Sequence, residues 1–341
     1  MKSVLIIQNS YQPSHTISLN SASNGRAHYV QLKVFKEIVK IVLGMSNLTV
    51  IAVLTNYVRF LTLRLQRKHS VFVYLAPYDW RMIFVMLFVG SKHDLTIVTS
   101  QLYWDNRATI KPANSLVEAL WWKLIPRCNF VGLNDIAYQN APNNFKTKRL
   151  IYHTVKISNV SPSFVSDAVI IGYAGRLVEE KGINVLLDAA KIYQDIEFHF
   201  AGWGPLGKRI AEMNLPNTFF HGKLEGSDLF KFYSSCDYIT QLSTVKVSSE
   251  GDWQDVFGLS VAEAICFGCI PMITNLPSPM TVFTRLSPEN LLTIPLKKNM
   301  VEFADLMSIL DNCDKKESKF QVPKLISDEH NRELWAEVIS I

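Results

Sequence analysis

The chain has 341 residues, 48% of them hydrophobic and 19% charged, with a formal net charge of +5. That length favours two domains with their own cores, and so small a cationic surplus excludes a dedicated nucleic-acid binder while leaving acidic substrates and anionic membrane surfaces open. The five cysteines are odd in number and dispersed, which excludes a disulfide framework and points to reduced thiols.

The opening "MKSVLIIQNS" carries one lysine and a short apolar run followed by polar residues, without a small-residue cleavage site. It reads as the first buried strand, "SVLIIQ", of a mature cytoplasmic protein rather than as a secretory signal. A long polar loop follows, and its Asn24-Gly25 step is expected to lead into a helix with the apolar stripe Val30, Leu32, Val34, Phe35, Ile38 and Val39. Gly25 is either a phosphate or sugar contact or a simple turn. Further strands are expected at "LTVIAVL", "VFVYLA", "LTIVTS" and "NFVGL", with spacers long enough for the helical crossovers of a parallel sheet. Such sheets bind ligands at the carboxyl ends of their strands.

Arg59, Arg64, Arg67 and Lys68 are mixed with apolar residues ahead of the apolar stretch Met82 to Val89. That stretch is far shorter than the ~20 residues a spanning helix needs. A core strand and helix explain it, with peripheral docking on anionic lipid as the alternative and "LWWKLIPR" as a second interfacial segment.

The pattern restarts near Ser166. Strand "AVIIGYAG" leads through a charged loop to a helix carrying Ile183, Val185, Leu186 and Leu187. Strand "IEFHFAG", helix "WGPLGKRIAEM", strand "TFFHG", helix "GSDLFKFYSSC" and strands "DYITQLS" and "IPMITN" follow. The tail "SDEHNRELWAEVIS" has acids early and Leu334, Trp335 and Val338 on one face, so it reads as a capped helix. Alternating strands and helices in both halves make the chain an α/β protein. Cys266 and Cys269 form a CxxC, but at a helix end, where two small packing residues fit better than a redox or zinc pair.

The chemistry concentrates in the second half. In "DVFGLSVAEA" the acids Asp255 and Glu263 bracket a glycine-loosened step into a helix, seven residues apart. In "GYAGRLVEEKG" Arg176 and Lys181 lie on a loop between a strand and a helix, with Gly175 and Gly182 giving the backbone close approach. Departure of a diphosphate leaving group needs fixed cations where its charge develops, and these two can supply them. A solvated surface loop is the alternative for the "EEK" run.

"GYAGRLVEEKG", "AGWGP", "FHGKL" and "DVFGLSVAEAICFGCIP", in that order, resemble the group 1 retaining glycosyltransferases of GT-B fold (family GT4), whose signature is an acid, seven residues and a second acid. The resemblance is firm from Ile170 to Asn275 and reaches the first half only through "NGRAHYVQL" and the general layout. It implies an α/β GT-B architecture of two Rossmann-like domains, with parallel sheets facing across a cleft. Residues 1–165 would form an acceptor domain and 166–325 a nucleotide-sugar donor domain. Residues 326–341 would be a helix packing back toward the first.

By the same resemblance Arg176 and Lys181 hold the diphosphate, Glu263 binds the ribose hydroxyls, and Asp255 contacts the transferred sugar. Phe257, Gly258 and Leu259 pack the sugar and offer backbone N–H groups, with the following helix aimed at the phosphates. Leu224 lies where the backbone meets the base, and Gly204 and Pro205 form a turn under the donor. Arg176, Lys181 and Asp255 are the candidate catalytic residues. Asp255 stands where the family usually has Glu, one methylene longer, so Glu250 and Asp252 are alternative contacts in a loop that resembles an exopolysaccharide branch. Gln101 stands where many relatives place a His and would hydrogen-bond a sugar hydroxyl.

The implied activity is retaining transfer of a sugar from a nucleoside diphosphate donor to a growing bacterial glycan (lipopolysaccharide, O-antigen, capsule or exopolysaccharide), with a lipid-linked acceptor. No metal or other cofactor is expected, because the cations replace the divalent ion. Nor is a nucleic-acid partner; the expected place is the cytoplasm, at the inner face of its membrane if docking occurs. The rival readings are a GT-B hydrolase or epimerase acting on a nucleotide sugar, and a non-catalytic partner subunit.

Overall fold

The structure, a computed structural model, describes residues 4–8, 16–24, 27–31, 70–74, 80–88, 94–104, 112, 114–155, 157–246, 253–287, 289–316 and 320–340. The chain divides into two compact units, Met1–Thr154 with Asp328–Ile341, and Val155–Ser327.

The first unit runs β1 (Val4–Gln8), α1 (Ile17–Ala22), β2 (Ala27–Gln31), β3 (Ser70–Tyr74), α2 (Trp80–Phe88), β4 (Asp94–Thr99), α3 (Ser115–Leu124), β5 (Asn129–Gly132), α4 (Asp135–Asn140) and β6 (Thr147–Leu150). Its six strands pair in parallel in the order β2-β1-β3-β4-β5-β6. β1 is buried throughout, as a central parallel strand covered on both faces must be, which explains its unbroken apolar run. Asn114 and Asn134 cap α3 and α4, their side-chain oxygens accepting from Val117 N–H at 2.9 Å and Ala137 N–H at 2.7 Å.

Two expectations are corrected here. The polar stretch after β1 contains the helix α1, which buries Leu19 and ties Ser18 Oγ to Thr154 Oγ1 at 2.6 Å. The segment expected to begin a helix at Gly25 is instead the strand β2, paired with β1 from Val4↔Ala27 to Gln8↔Gln31. Helical periodicity runs across Val30, yet "AHYVQ" also alternates, and backbone pairing with the apolar β1 decides for a strand. Gly25, the cluster Arg59 to Lys68 and the expected strand "LTVIAVL" lie outside the described residues.

The second unit runs β7 (Val169–Arg176), α5 (Ile183–Ile192), β8 (Ile196–Trp203), α6 (Leu206–Glu212), β9 (Thr218–Gly222), α7 (Gly226–Ser235), β10 (Tyr238–Gln241), α8 (Leu259–Ile265), β11 (Ile270–Thr274), α9 (Pro277–Leu286) and β12 (Leu292–Ile294). A small hairpin, β13 (Leu296–Lys297) with β14 (Met300–Val301), and α10 (Phe303–Leu310) follow. The sheet order is β12-β11-β10-β7-β8-β9, parallel throughout. Leu186, Leu187 and Leu306 pack with Phe198 and Phe200 of β8 to form its core.

The last helix, α11 (Asp328–Ser340), belongs to the first unit. Trp335 meets Phe72 edge-on at 5.6 Å, and Asn331 Nδ2 donates to Thr154 Oγ1 at 3.0 Å. Each unit is a Rossmann-like layer of helices and parallel strands.

An aromatic stack around the buried His199 lies on one face of the second sheet. His199 Nδ1 is 3.0 Å from His221 Nε2, and His199 Nε2 is 3.1 Å from Glu197 Oε2. Phe164 and Phe219 stack on His199 at 4.3 and 4.4 Å. Burial holds the His199 imidazolium down to about 4 against the opposing pull of Glu197, with His221 and Lys315 adding repulsion. The unfolded chain takes this proton near pH 6.5 and the native one only near 4, so stability present above 6.5 is lost as the pH falls through that window. A loss on the order of 1–3 kcal/mol is expected between pH 7 and 4.5. Denaturation midpoints at the two pH values should converge when His199→Gln removes the titration; an unchanged slope would remove His199 as its source.

Candidate functional site

The site is built on the carboxyl edge of the second sheet, where β10, β7 and β8 end side by side. β7 finishes at Gly175 and Arg176, and Tyr173 Oη donates to the Arg176 carbonyl at 2.6 Å, which fixes the strand end. A single 3-10 turn, Glu179–Lys181, then carries the chain to Gly182. Gly182 has φ +71, and a Cβ there would lie 2.4 Å from the Leu242 carbonyl oxygen, so only glycine lets the turn press on the end of β10. Thr244 N–H donates to the Glu180 carbonyl at 2.9 Å and closes the same contact from the other side.

Both cations meet one aromatic ring. The Arg176 guanidinium lies 5.5 Å and Lys181 Nζ 5.0 Å from the centre of the Trp253 ring. Trp253 is held by an isolated antiparallel bridge to Lys246, with N–H···O distances of 2.9 Å in both directions. Arg176 is exposed, and among the described residues no carboxylate pairs with it. Lys181 is different: its side chain is 14% exposed and its ammonium donates to Asp255 Oδ1.

The Asp255 carboxylate is well supplied with donors. Oδ2 accepts from Gln241 Nε2 at 2.9 Å and from Ser243 Oγ, while Oδ1 takes Lys181. The structure therefore joins two groups that the sequence assigned to different jobs, the lysine to phosphate and the aspartate to sugar. Gly258, at the cap of α8, has φ +88, and a Cβ there would meet Gln241 Oε1 at 2.1 Å. Glycine at this step is what lets the chain pass over the Gln241 amide and turn into α8.

Glu263 sits on α8 and accepts from Tyr233 Oη of α7 at 3.1 Å. Burial pushes its carboxyl up to about 7, with the Tyr233 hydrogen bond pulling the other way. It lies near the end of its short helix, past the first turn, so the helix dipole is not what stabilises its charge.

The remaining candidates are placed as follows. Gly175 ends β7, Leu224 is half-buried just after β9, Phe257 is buried, and Gly258 and Leu259 open α8. Gln101 is in the first unit beyond β4; its N–H donates to Thr99 Oγ1 at 2.9 Å and its Nε2 to the Tyr103 carbonyl at 3.5 Å. Glu250 and Asp252 lie outside the described residues. Cys266 and Cys269 are free and buried, and burial raises both thiols, to about 12 for Cys266. Sequence reasoning missed Gln241, Ser243, Trp253 and Tyr233. A signal for the first two existed: "DYITQLS" turns polar as it reaches the sheet's ligand-bearing edge.

Two six-stranded parallel sheets in two Rossmann-like units, with paired cations at a strand end, define a protein of GT-B fold. Residues 157–321 match the family model of "Glycosyl transferases group 1". The chain is 38% identical over 68 residues to the GDP-mannose-dependent alpha-mannosyltransferase of Corynebacterium glutamicum, a match covering 20% of this chain and 16% of that protein. The structure of Anabaena Alr3699/HepE in complex with UDP-glucose is similar over 100% of both chains, with a TM-score of 0.67 at 15% identity. Sucrose-phosphate synthase from Thermosynechococcus elongatus is similar over 99% of this chain and 95% of its own, with a TM-score of 0.62 at 14% identity.

Proposed function

We propose that the chain is a retaining glycosyltransferase of the GT4 type that takes a sugar from a nucleoside diphosphate donor and adds it to a growing, lipid-linked bacterial glycan. The observation that carries this reading is the pair Arg176 and Lys181 against the Trp253 ring at a parallel-sheet carboxyl edge, with Glu263 on the adjoining helix. Its nearest support outside the chain is the group 1 match over residues 157–321. The mannosyltransferase of Corynebacterium glutamicum and the UDP-glucose complex of Anabaena HepE support a nucleotide sugar as donor without choosing its base.

In the reaction the bond between the anomeric carbon and the diphosphate oxygen breaks, and its electron pair leaves with the phosphate. The acceptor hydroxyl attacks the same face, and its proton passes to the departing phosphate oxygen. Arg176 and Lys181 stabilise the charge that gathers there. Glu263 holds the ribose hydroxyls by charge-assisted hydrogen bonds, and Leu224 and the Gly258 turn border the donor. With two fixed cations at the leaving group, no divalent metal is required.

An anionic membrane surface would bring the lipid-linked acceptor. Leu116, Trp122 and Lys123 of α3 are exposed, as is Arg127 just after it, an amphipathic and cationic face suited to the headgroup region. Among the described residues no helix is long and apolar enough to cross a membrane.

The test is direct. Candidate UDP- and GDP-sugars are screened by thermal shift, since a ligand that binds only the native state raises its stability by mass action. The donor found is then assayed for transfer to lipid-linked acceptor in excess EDTA. Transfer should persist at the rate seen without chelator. Loss of activity restored by magnesium or manganese would replace the cation-based mechanism, and no thermal shift with any donor would remove the donor site itself.

A further inference from the structure

Among the described residues one phosphate-site cation has no carboxylate partner and the other is tethered. Lys181 is mostly buried and engaged with Asp255, whereas Arg176 is exposed and has no carboxylate partner among the described residues. Asp255 is itself anchored by two neutral donors, Gln241 Nε2 at 2.9 Å and Ser243 Oγ, both at the end of β10. Both its oxygens are therefore engaged before any ligand arrives. Gln241 is buried, and Gly258 closes over its amide, so this anchor cannot swing away to free the carboxylate. Trp253 covers the Lys181 ammonium from another side.

We propose that Asp255 is a positioning residue that restrains Lys181 and sets how tightly the site holds a diphosphate. This rests on the donor-site reading above. The charge arithmetic gives the sign. With Asp255 ionised, the Lys181–Asp255 pair is close to neutral and Arg176 supplies the net attraction. Removing the carboxylate releases Lys181, so that two cations rather than one face the phosphates. The restraint has a use: a product diphosphate held by two unopposed cations leaves slowly, and release of product limits turnover in many enzymes.

The experiment measures UDP and GDP binding by calorimetry to the full chain and to Asp255→Asn, with UMP and GMP as controls. Asp255→Asn should bind the preferred diphosphate about tenfold more tightly, while the monophosphate, with less charge to feel the change, gains little. Asp255→Ser is the second variant, so that the result does not depend on one fold surviving. In a Lys181→Met background the gain should disappear, because the effect acts through Lys181; the double-mutant cycle reads that coupling. Damage to the fold weakens binding and cannot imitate a gain. Unchanged or weaker diphosphate binding in both Asp255 variants, or an equal gain in the Lys181→Met background, overturns the inference alone. Failure of the unaltered protein to bind either diphosphate overturns the donor-site reading and the inference with it.

Discussion

Arg176→Ala and Lys181→Ala are each expected to lower turnover by about a hundredfold to a thousandfold while the protein stays folded. Both side chains lie at the end of β7 or on the turn after it, outside the core formed around Leu186, Leu187 and Phe198. Truncating them leaves that core intact. On the proposed reading what is lost is charge stabilisation at the leaving group, and removing one such preorganised contact costs about 2.7–4 kcal/mol in the transition state. Arg176 should be the more damaging loss for diphosphate binding, because its charge is not shared with a carboxylate among the described residues. Lys181→Ala has a second consequence: it leaves Asp255 ionised without its cation, a mostly buried carboxylate with only Gln241 and Ser243 as donors. Its thermal midpoint should therefore fall further than that of Arg176→Ala. Steady-state rates with unfolding curves decide the matter, and turnover at the unaltered rate in either variant would remove that residue from the reaction.

Glu263→Gln is expected to separate binding from stability. If Glu263 grips the ribose, the variant loses charge-assisted hydrogen bonds worth about 1.5–3 kcal/mol each, so free diphosphate and intact donor should weaken by the same factor, about ten- to a hundredfold. The same change should stabilise the empty protein at alkaline pH. Burial raises the Glu263 carboxyl from 4.5 to about 7, so the native state holds a proton that the unfolded chain has already released. That contribution is fully present below pH 4.5 and is lost as the pH rises through 7. Gln carries no charge and escapes the loss, on the order of 2–3 kcal/mol at pH 8 and above. A carboxylate kept buried at such a cost suits a ligand that supplies hydroxyl donors. Calorimetry with both ligands, and unfolding at pH 5 and 8, test the two halves separately. Weaker donor binding with unchanged diphosphate binding would place Glu263 on the sugar instead.

The second half of the chain was more legible than the first for a physical reason. From Val169 to Thr274 the apolar runs other than the exposed edge strand β9 are buried strands and the amphipathic runs cover them, so pattern, propensity and topology agree. In the first half "AHYVQ" satisfies both periods, and only the apolar partner strand Val4–Gln8 decides for strand. The polar stretch holding α1 hides a helix because Ser18 is buried by a hydrogen bond to Thr154, a partner 136 residues away that no local pattern announces.

The sequence by itself determined the α/β class, the motif order and the residue types that a donor site needs: two cations, two acids and the glycines between them. Each follows from what the chain carries locally. The tertiary structure alone decided which groups meet. Lys181 and Asp255 are 74 positions apart and become an ion pair because β7 and β10 are sheet neighbours. Trp253 gains both cations for the same reason, and Glu263 meets Tyr233 because α8 packs on α7. The charge state of a site depends on distances and burial, and neither exists until strands distant in the chain have paired.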